Sequence, residues 1–92
     1  MGSIEQKDGA FVLVENGKEL AEVTYMERDE HVLMIDHTFV SESLRGQHVG
    51  EQLVDRVVQL ARERNAKIDP VCEFAQALFR RKKEYADVWK QD

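Results

Sequence analysis

Cys72 is the one cysteine of this 92-residue chain. It stands where a short strand-forming run, residues 66–71, gives way to a helical pattern that starts at Glu73. A thiol at such a junction feels the positive end of the helix dipole, which favours the thiolate. A thiolate there can attack an activated acyl group, and a thiol can protonate a departing one. A lone cysteine also fits as a small buried hydrophobe. His37 carries a similar double reading. Alternation along residues 32–40 puts it on one strand face with Leu33, Ile35 and Phe39, leaving Met34, Asp36 and Thr38 on the other. An imidazole on that face takes a proton from an incoming ammonium or from Cys72, or it simply packs. His31, His37 and His48 show no helical ligand spacing, so a metal site is not expected.

The second chemical feature is a loop. From Val40 through Ser41, Glu42, Ser43, Leu44, Arg45, Gly46, Gln47 and His48 to Val49 and Gly50, a strand ends, a polar loop with glycine follows, and a helix begins. Unpaired N–H groups at a helix start, reinforced by the helix dipole, hold phosphate, and Arg45 can add a charge-assisted bond. The same residues also fit a plain strand-to-helix turn. The run Arg80-Arg81-Lys82-Lys83 either meets an anion beside that loop or complements the end of its own helix.

Several elements must position these groups. Phe11-Val12-Leu13-Val14, a turn at Asn16-Gly17, and a run from Leu20 to Met26 read as a hairpin. Arg28-Asp29-Glu30 breaks the pattern, and a third strand follows from Val32 to Val40, making a three-stranded meander. Residues 49–63 at helical spacing gather Val49, Gly50, Leu53, Val54, Val57, Val58, Leu60 and Ala61 on one half of the circle. Gly50 near the centre of that arc lets the helix approach a strand closely. Asn65 stops the helix. Residues 66–71 then form a fourth strand, parallel to the third across the helical crossover and kept short by Pro70. A second helix follows Glu73, with Phe74, Ala75, Leu78 and Phe79 at packing intervals, and Tyr85, Val88 and Trp89 dock a last turn.

Ninety-two residues, 42% hydrophobic and 34% charged, suit a single ordinary globular domain over 1–92, with residues 1–9 as a flexible lead-in. No apolar run approaches the ~18 residues of a membrane span, and no signal segment opens the chain. With a single cysteine, a reducing cytoplasmic setting is expected. Net charge is −5, which disfavours nucleic acid as a partner. Residues 1–44 hold three basic and ten acidic side chains, whereas residues 45–92 hold ten and eight. That division suits an anionic ligand on the second half and a cationic one on the first, and solvated surface charge alone produces it too.

Arg45-Gly46-Gln47-His48-Val49-Gly50 resembles the pyrophosphate-binding signature of the GNAT superfamily: Arg or Gln, two residues, Gly, one residue, then Gly or Ala. Arg45 and Gly50 match, and His48 replaces the middle glycine. Ile35-Asp36-His37-Thr38 running into Val40, Pro70 with Cys72, Phe74 and Ala75, and Glu84-Tyr85-Ala86-Asp87-Val88 are similar to the small, truncated GNAT-like proteins. The resemblance spans roughly residues 10–90. It implies an α/β (α+β) fold, a mostly antiparallel sheet with one splayed parallel pair and two to three helices. It also implies acetyl-CoA as cosubstrate, with the backbone of Gln47, His48, Val49 and Gly50 on the pyrophosphate, Val40 along the pantetheine arm, and Arg81 near the 3′-phosphate. Larger members often carry Asn, Ala and Tyr where this chain has Cys72, Ala75 and Phe79. Phe79 has no hydroxyl to protonate the leaving thiolate, and the compact members place a cysteine at the Cys72 position. The expected activity is acetyl transfer to an unidentified amine, with Cys72 and His37 as catalytic candidates. The alternative is a non-catalytic CoA-binding or protein-interaction module.

Overall fold

A computed structural model describes residues 2–29 and 31–91, so Glu30 in the expected second break lies outside the described residues. Asn16 and Gly17 both take positive φ, and they join strand β2 (Ala10–Glu15) to β3 (Lys18–Asp29). β3 turns back into β4 (Val32–Val40), and the preceding strand β1 (Ser3–Lys7) pairs antiparallel with β2. Residues 3–7, expected within a flexible lead-in, are therefore an edge strand. Their backbone groups find partners in β2, with Ile4 opposite Leu13 and Gln6 opposite Phe11. The meander thus has four strands rather than three.

Helix α1 (Val49–Arg64) follows β4 through a short 3-10 turn at Glu42–Leu44. Asn65 ends it in the left-handed region, φ 55°, with its amide turned back to Ala61 and Arg62. Strand β5 (Lys67–Pro70) then pairs parallel with β4, completing one sheet in the order β1-β2-β3-β4-β5. Helix α2 (Glu73–Arg81) and a 3-10 turn at Lys83–Tyr85 finish the fold. Trp89 bridges to Ile68, and the Lys90 amide donates to the Ile68 carbonyl at 2.8 Å, so the last segment covers the β5 edge.

Both helices lie on one face of the sheet. Leu53, Val54, Val57, Val58 and Ala61 of α1, with Ala75, Leu78 and Phe79 of α2, share a core with Phe11, Ala21, Val23, Leu33, Ile35 and Ile68. Each fully buried Val, Leu, Ile or Phe side chain among them contributes about 1.5–3 kcal/mol. Gly50 is buried, but its close neighbour is not a strand. A Cβ added there would meet the Phe74 ring of α2 at 2.7 Å, so the glycine lets the two helices approach.

One irregularity in β4 decides what faces the helices. Tyr25 pairs with Ile35 and Thr24 with His37, so Asp36 is an extra residue, a β-bulge. Strict alternation would carry His37 and Phe39 inward with Ile35. The bulge reverses the phase. His37 and Phe39 are exposed on the outer face, while Thr38 and Val40 are partly buried on the helix side.

Candidate functional site

The ladder between β4 and β5 closes at one carbonyl. The amides of Val71 and Cys72 both donate to the Ile35 carbonyl, at 3.0 and 3.1 Å. Past that point β5 has ended at Pro70 and β4 runs on to Val40 without a parallel partner. β4 outruns β5, and the opening beside it has a side chain on each wall. Cys72, at the N-cap of α2, brings Sγ to 3.4 Å from Thr38 Oγ1. The bulge thus sets Thr38, not His37, beside the thiol. Cys72 is half-buried, neither sealed in the core nor free on the surface.

At the other end of the same β4 face, Val40 helps line a groove of about 260 Å³. Arg45, Gly46, His48, Val49, Gly50 and Arg81 also line it, together with Leu44, Glu51 and Phe74. Of the residues expected around the anion, Gln47 alone is missing. Its amide donates to the Leu44 carbonyl at 3.2 Å, and its own carbonyl accepts from Gln52 Nε2 at 3.2 Å, which turns its backbone away from the groove. The α1 hydrogen bonds begin with the Gln52 amide on the His48 carbonyl. The amides of His48, Val49, Gly50 and Glu51 have no acceptor among the described residues, as a helix start requires.

His48 is the N-cap of α1 at φ 58° and ψ 31°, a left-handed conformation where glycine is the easy choice, and its side chain makes no capping bond. Gly46 reaches φ 85° with nothing within 4 Å of a notional Cβ. The loop therefore keeps the backbone path of a glycine-rich turn although it carries a histidine. Arg45 is mostly in solvent, its guanidinium 3.6 Å from Glu42. Arg81 is held from below, donating to Glu51 Oε1 at 3.2 Å, while Lys82 Nζ donates to Oε2 at 3.0 Å. The Lys82 hydrogen bond holds the Glu51 carboxyl below the usual range. Glu51 thus sets a carboxylate at the positive end of α1, and any phosphate in this groove competes with it for Arg81.

The position that is tyrosine in larger members, Phe79, is buried, with its ring centroid 5.2 Å from Tyr85 and 5.8 Å from Trp89. Tyr85 does carry a hydroxyl, but it donates to Asp55 Oδ1 at 3.2 Å. Burial first, and then the Asp55 charge, push its pKa well above the ordinary phenol value, so it stays protonated. Sequence reasoning missed three residues here. Thr38 was hidden by the bulge, Glu51 by its place on the polar helix face, and Phe74 by its apparent role in packing.

The description "GCN5-related N-acetyl-transferase" matches residues 10–88 of the chain. The solution structure of a GCN5-like protein from Staphylococcus aureus is 38% identical, with a TM-score of 0.82 over 98% of this chain and 89% of that one. A GNAT-family acetyltransferase from Elizabethkingia anophelis with acetyl-CoA bound shares the fold at 18% identity and a TM-score of 0.63, covering 80% of this chain and 51% of that one. A ribosomal-protein-alanine N-acetyltransferase from Brucella melitensis biovar Abortus 2308 does so at 22% and 0.65, covering 83% and 62%. This chain thus spans only about half to three-fifths of those two larger proteins. No curated protein matches it. A four-stranded antiparallel meander, a parallel β4–β5 pair in which β4 outruns β5, and a glycine-path loop into α1 define an N-acetyltransferase fold. The chain belongs to the GCN5-related N-acetyltransferase family, and its class of activity is N-acetyl transfer. No helix among the described residues is long and apolar enough to cross a membrane.

Proposed function

We propose that this protein is a single-domain enzyme of the cytoplasm that binds acetyl-CoA in the β4–α1–α2 groove and passes its acetyl group to an amine by way of Cys72. One observation carries the reading. All but one of the residues expected around the anion line a single groove, and two residues along the same β4 face stands Thr38, the partner of the Cys72 thiol. On a strand that is about 7 Å.

In this reading the free amides of residues 48–51 and the dipole of α1 hold the pyrophosphate. Arg45 and Arg81 neutralise what remains, Arg81 by exchanging Glu51 for phosphate. Val40 guides the pantetheine arm toward the opening, and β4 amides past the last β5 pairing polarise the thioester carbonyl. The Cys72 thiolate attacks that carbonyl. The new C–S bond forms as the bond to CoA breaks, and the proton from Cys72 ends on the CoA sulfur. A neutral amine then attacks the acetyl-cysteine, the C–N bond forms, and the amine's proton returns the thiol. Thr38 aims the sulfur through both exchanges. His37, exposed on the opposite face of β4, takes the proton of the ammonium that arrives from that side.

Incubation with acetyl-CoA followed by intact mass analysis tests this. One added acetyl group is expected, lost in Cys72→Ala, with transfer to small amines falling in parallel. Unaltered transfer by Cys72→Ala overturns the role of the thiol. Transfer lost without an acetyl adduct assigns the thiol to protonating CoA. Tight CoA binding with no transfer to any amine establishes a binding module instead.

A further inference from the structure

The sheet has a second face that no helix covers. Ala10, Val12 and Val32 are buried apolar residues outside the shared core. Next to them, β3 and β4 present three cross-strand pairs, Glu22 with Phe39, Thr24 with His37, and Met26 with Met34. Phe39 is 52% exposed and Met26 56%, the two largest apolar exposures among the described residues. A surface of this kind on an otherwise solvated molecule marks a contact site. Carboxylates outnumber cations there. Lys7 is ion-paired to Glu19 and also feels Glu5 and Glu22, so three carboxylates share one cation. Asp36 is exposed at the bulge.

We infer that the outer face of β3 and β4, centred on Phe39, Met26 and Glu22, docks an extended basic peptide segment that delivers a lysine side chain to the opening between β4 and β5. The inference rests on the transferase reading, whose acceptor it names. Its two parts follow from the surface. The exposed Phe39, Met26 and Met34 call for apolar side chains, and the surplus carboxylates call for cationic ones between them. Extended backbone alternates its side chains at the spacing of the pairs beneath it. The position follows from the bulge. Phe39 and His37 sit on the stretch of β4 that outruns β5, and the opposite face of that stretch carries Thr38 beside Cys72. A lysine amine on the outer face therefore needs only to pass through the opening, whose other lip holds the exposed Val71.

The test is an amide-shift titration of the labelled protein with a blocked peptide of alternating lysine and leucine, beside a glutamate–leucine peptide and free lysine. Shifts confined to β3, β4 and the Val71 lip are expected for the first peptide only, and they should weaken as salt rises. Phe39→Ser and Glu22→Lys are each expected to lower peptide affinity at least fivefold, the loss of about 1 kcal/mol, with acetyl-CoA shifts unchanged. That last control shows that the variants are folded. Shifts elsewhere, equal binding of the acidic peptide, or wild-type affinity in both variants would overturn the inference. Self-association through Phe39 in sedimentation, lost in Phe39→Ser, would assign the face to a second copy and overturn it too. Peptide binding here without CoA binding would leave the docking surface standing and remove the transferase reading alone.

Discussion

His48 holds an L side chain in the left-handed region at the start of α1, which costs of order 1 kcal/mol. His48→Gly removes that cost, and glycine also serves at an N-cap. Unfolding in urea is expected to show equal stability or a gain of up to about 1 kcal/mol, with acetyl-CoA affinity equal or better. A substantial loss of affinity would mean that the imidazole itself contacts phosphate. Thr38→Val keeps the β-branched shape and removes the hydroxyl beside Cys72. One hydrogen bond of about 1 kcal/mol corresponds to roughly a fivefold fall in transfer rate, with CoA binding intact. An unchanged rate would make the hydroxyl a packing group. Cys72 was legible as a candidate from its place between a strand and a helix. Thr38 was not, because a one-residue bulge leaves no mark on hydrophobic alternation when the residues around it are Asp, His and Thr.

At the scale of elements, α1 was readable almost to the residue, since seven buried positions recur at helical spacing and Asn65 closes it. β4 was readable in extent but not in phase. Deleting Asp36 should remove the bulge and leave a regular strand with the facing unchanged, Ile35, Thr38 and Val40 toward the helices and His37 and Phe39 outward. The pairing with β3 is kept on both sides of the deletion, so a stability change within about 1 kcal/mol and retained CoA binding are expected. A collapse of stability together with loss of CoA binding in the deletion would contradict the assignment of Asp36 as the extra residue. The first turn of α1 gives a pH prediction. The Glu51 pKa is lowered in the fold by Lys82, so its contribution is present above the unfolded carboxyl value and is lost as pH falls through the folded one. Glu51→Gln should flatten the acid limb of the stability profile. It should also raise acetyl-CoA affinity, because a competing anion leaves the groove. An unchanged acid limb with unchanged affinity would show the pairing to be idle.

Over the whole molecule, the acidic first half supplies the open sheet face and the mixed second half supplies the anion groove, with β4 common to both. The division of charge was visible in the sequence, but which face each part would occupy depended on β1 pairing as a strand and on the bulge. β1 was missed because Ser3, Glu5, Gln6 and Lys7 carry almost no apolar signal; its pairing rests on backbone bonds to β2. Phe74 was read as packing, and it does pack on Gly50, yet as a residue 44% exposed it also forms a wall of the groove. The central claim is that this groove is where acetyl-CoA sits, and titration of the labelled protein with acetyl-CoA tests it most directly. Amide shifts should concentrate on residues 46–51, Val40, Phe74 and Cys72. Shifts confined to the β2–β3 hairpin, or none at millimolar ligand, would contradict it.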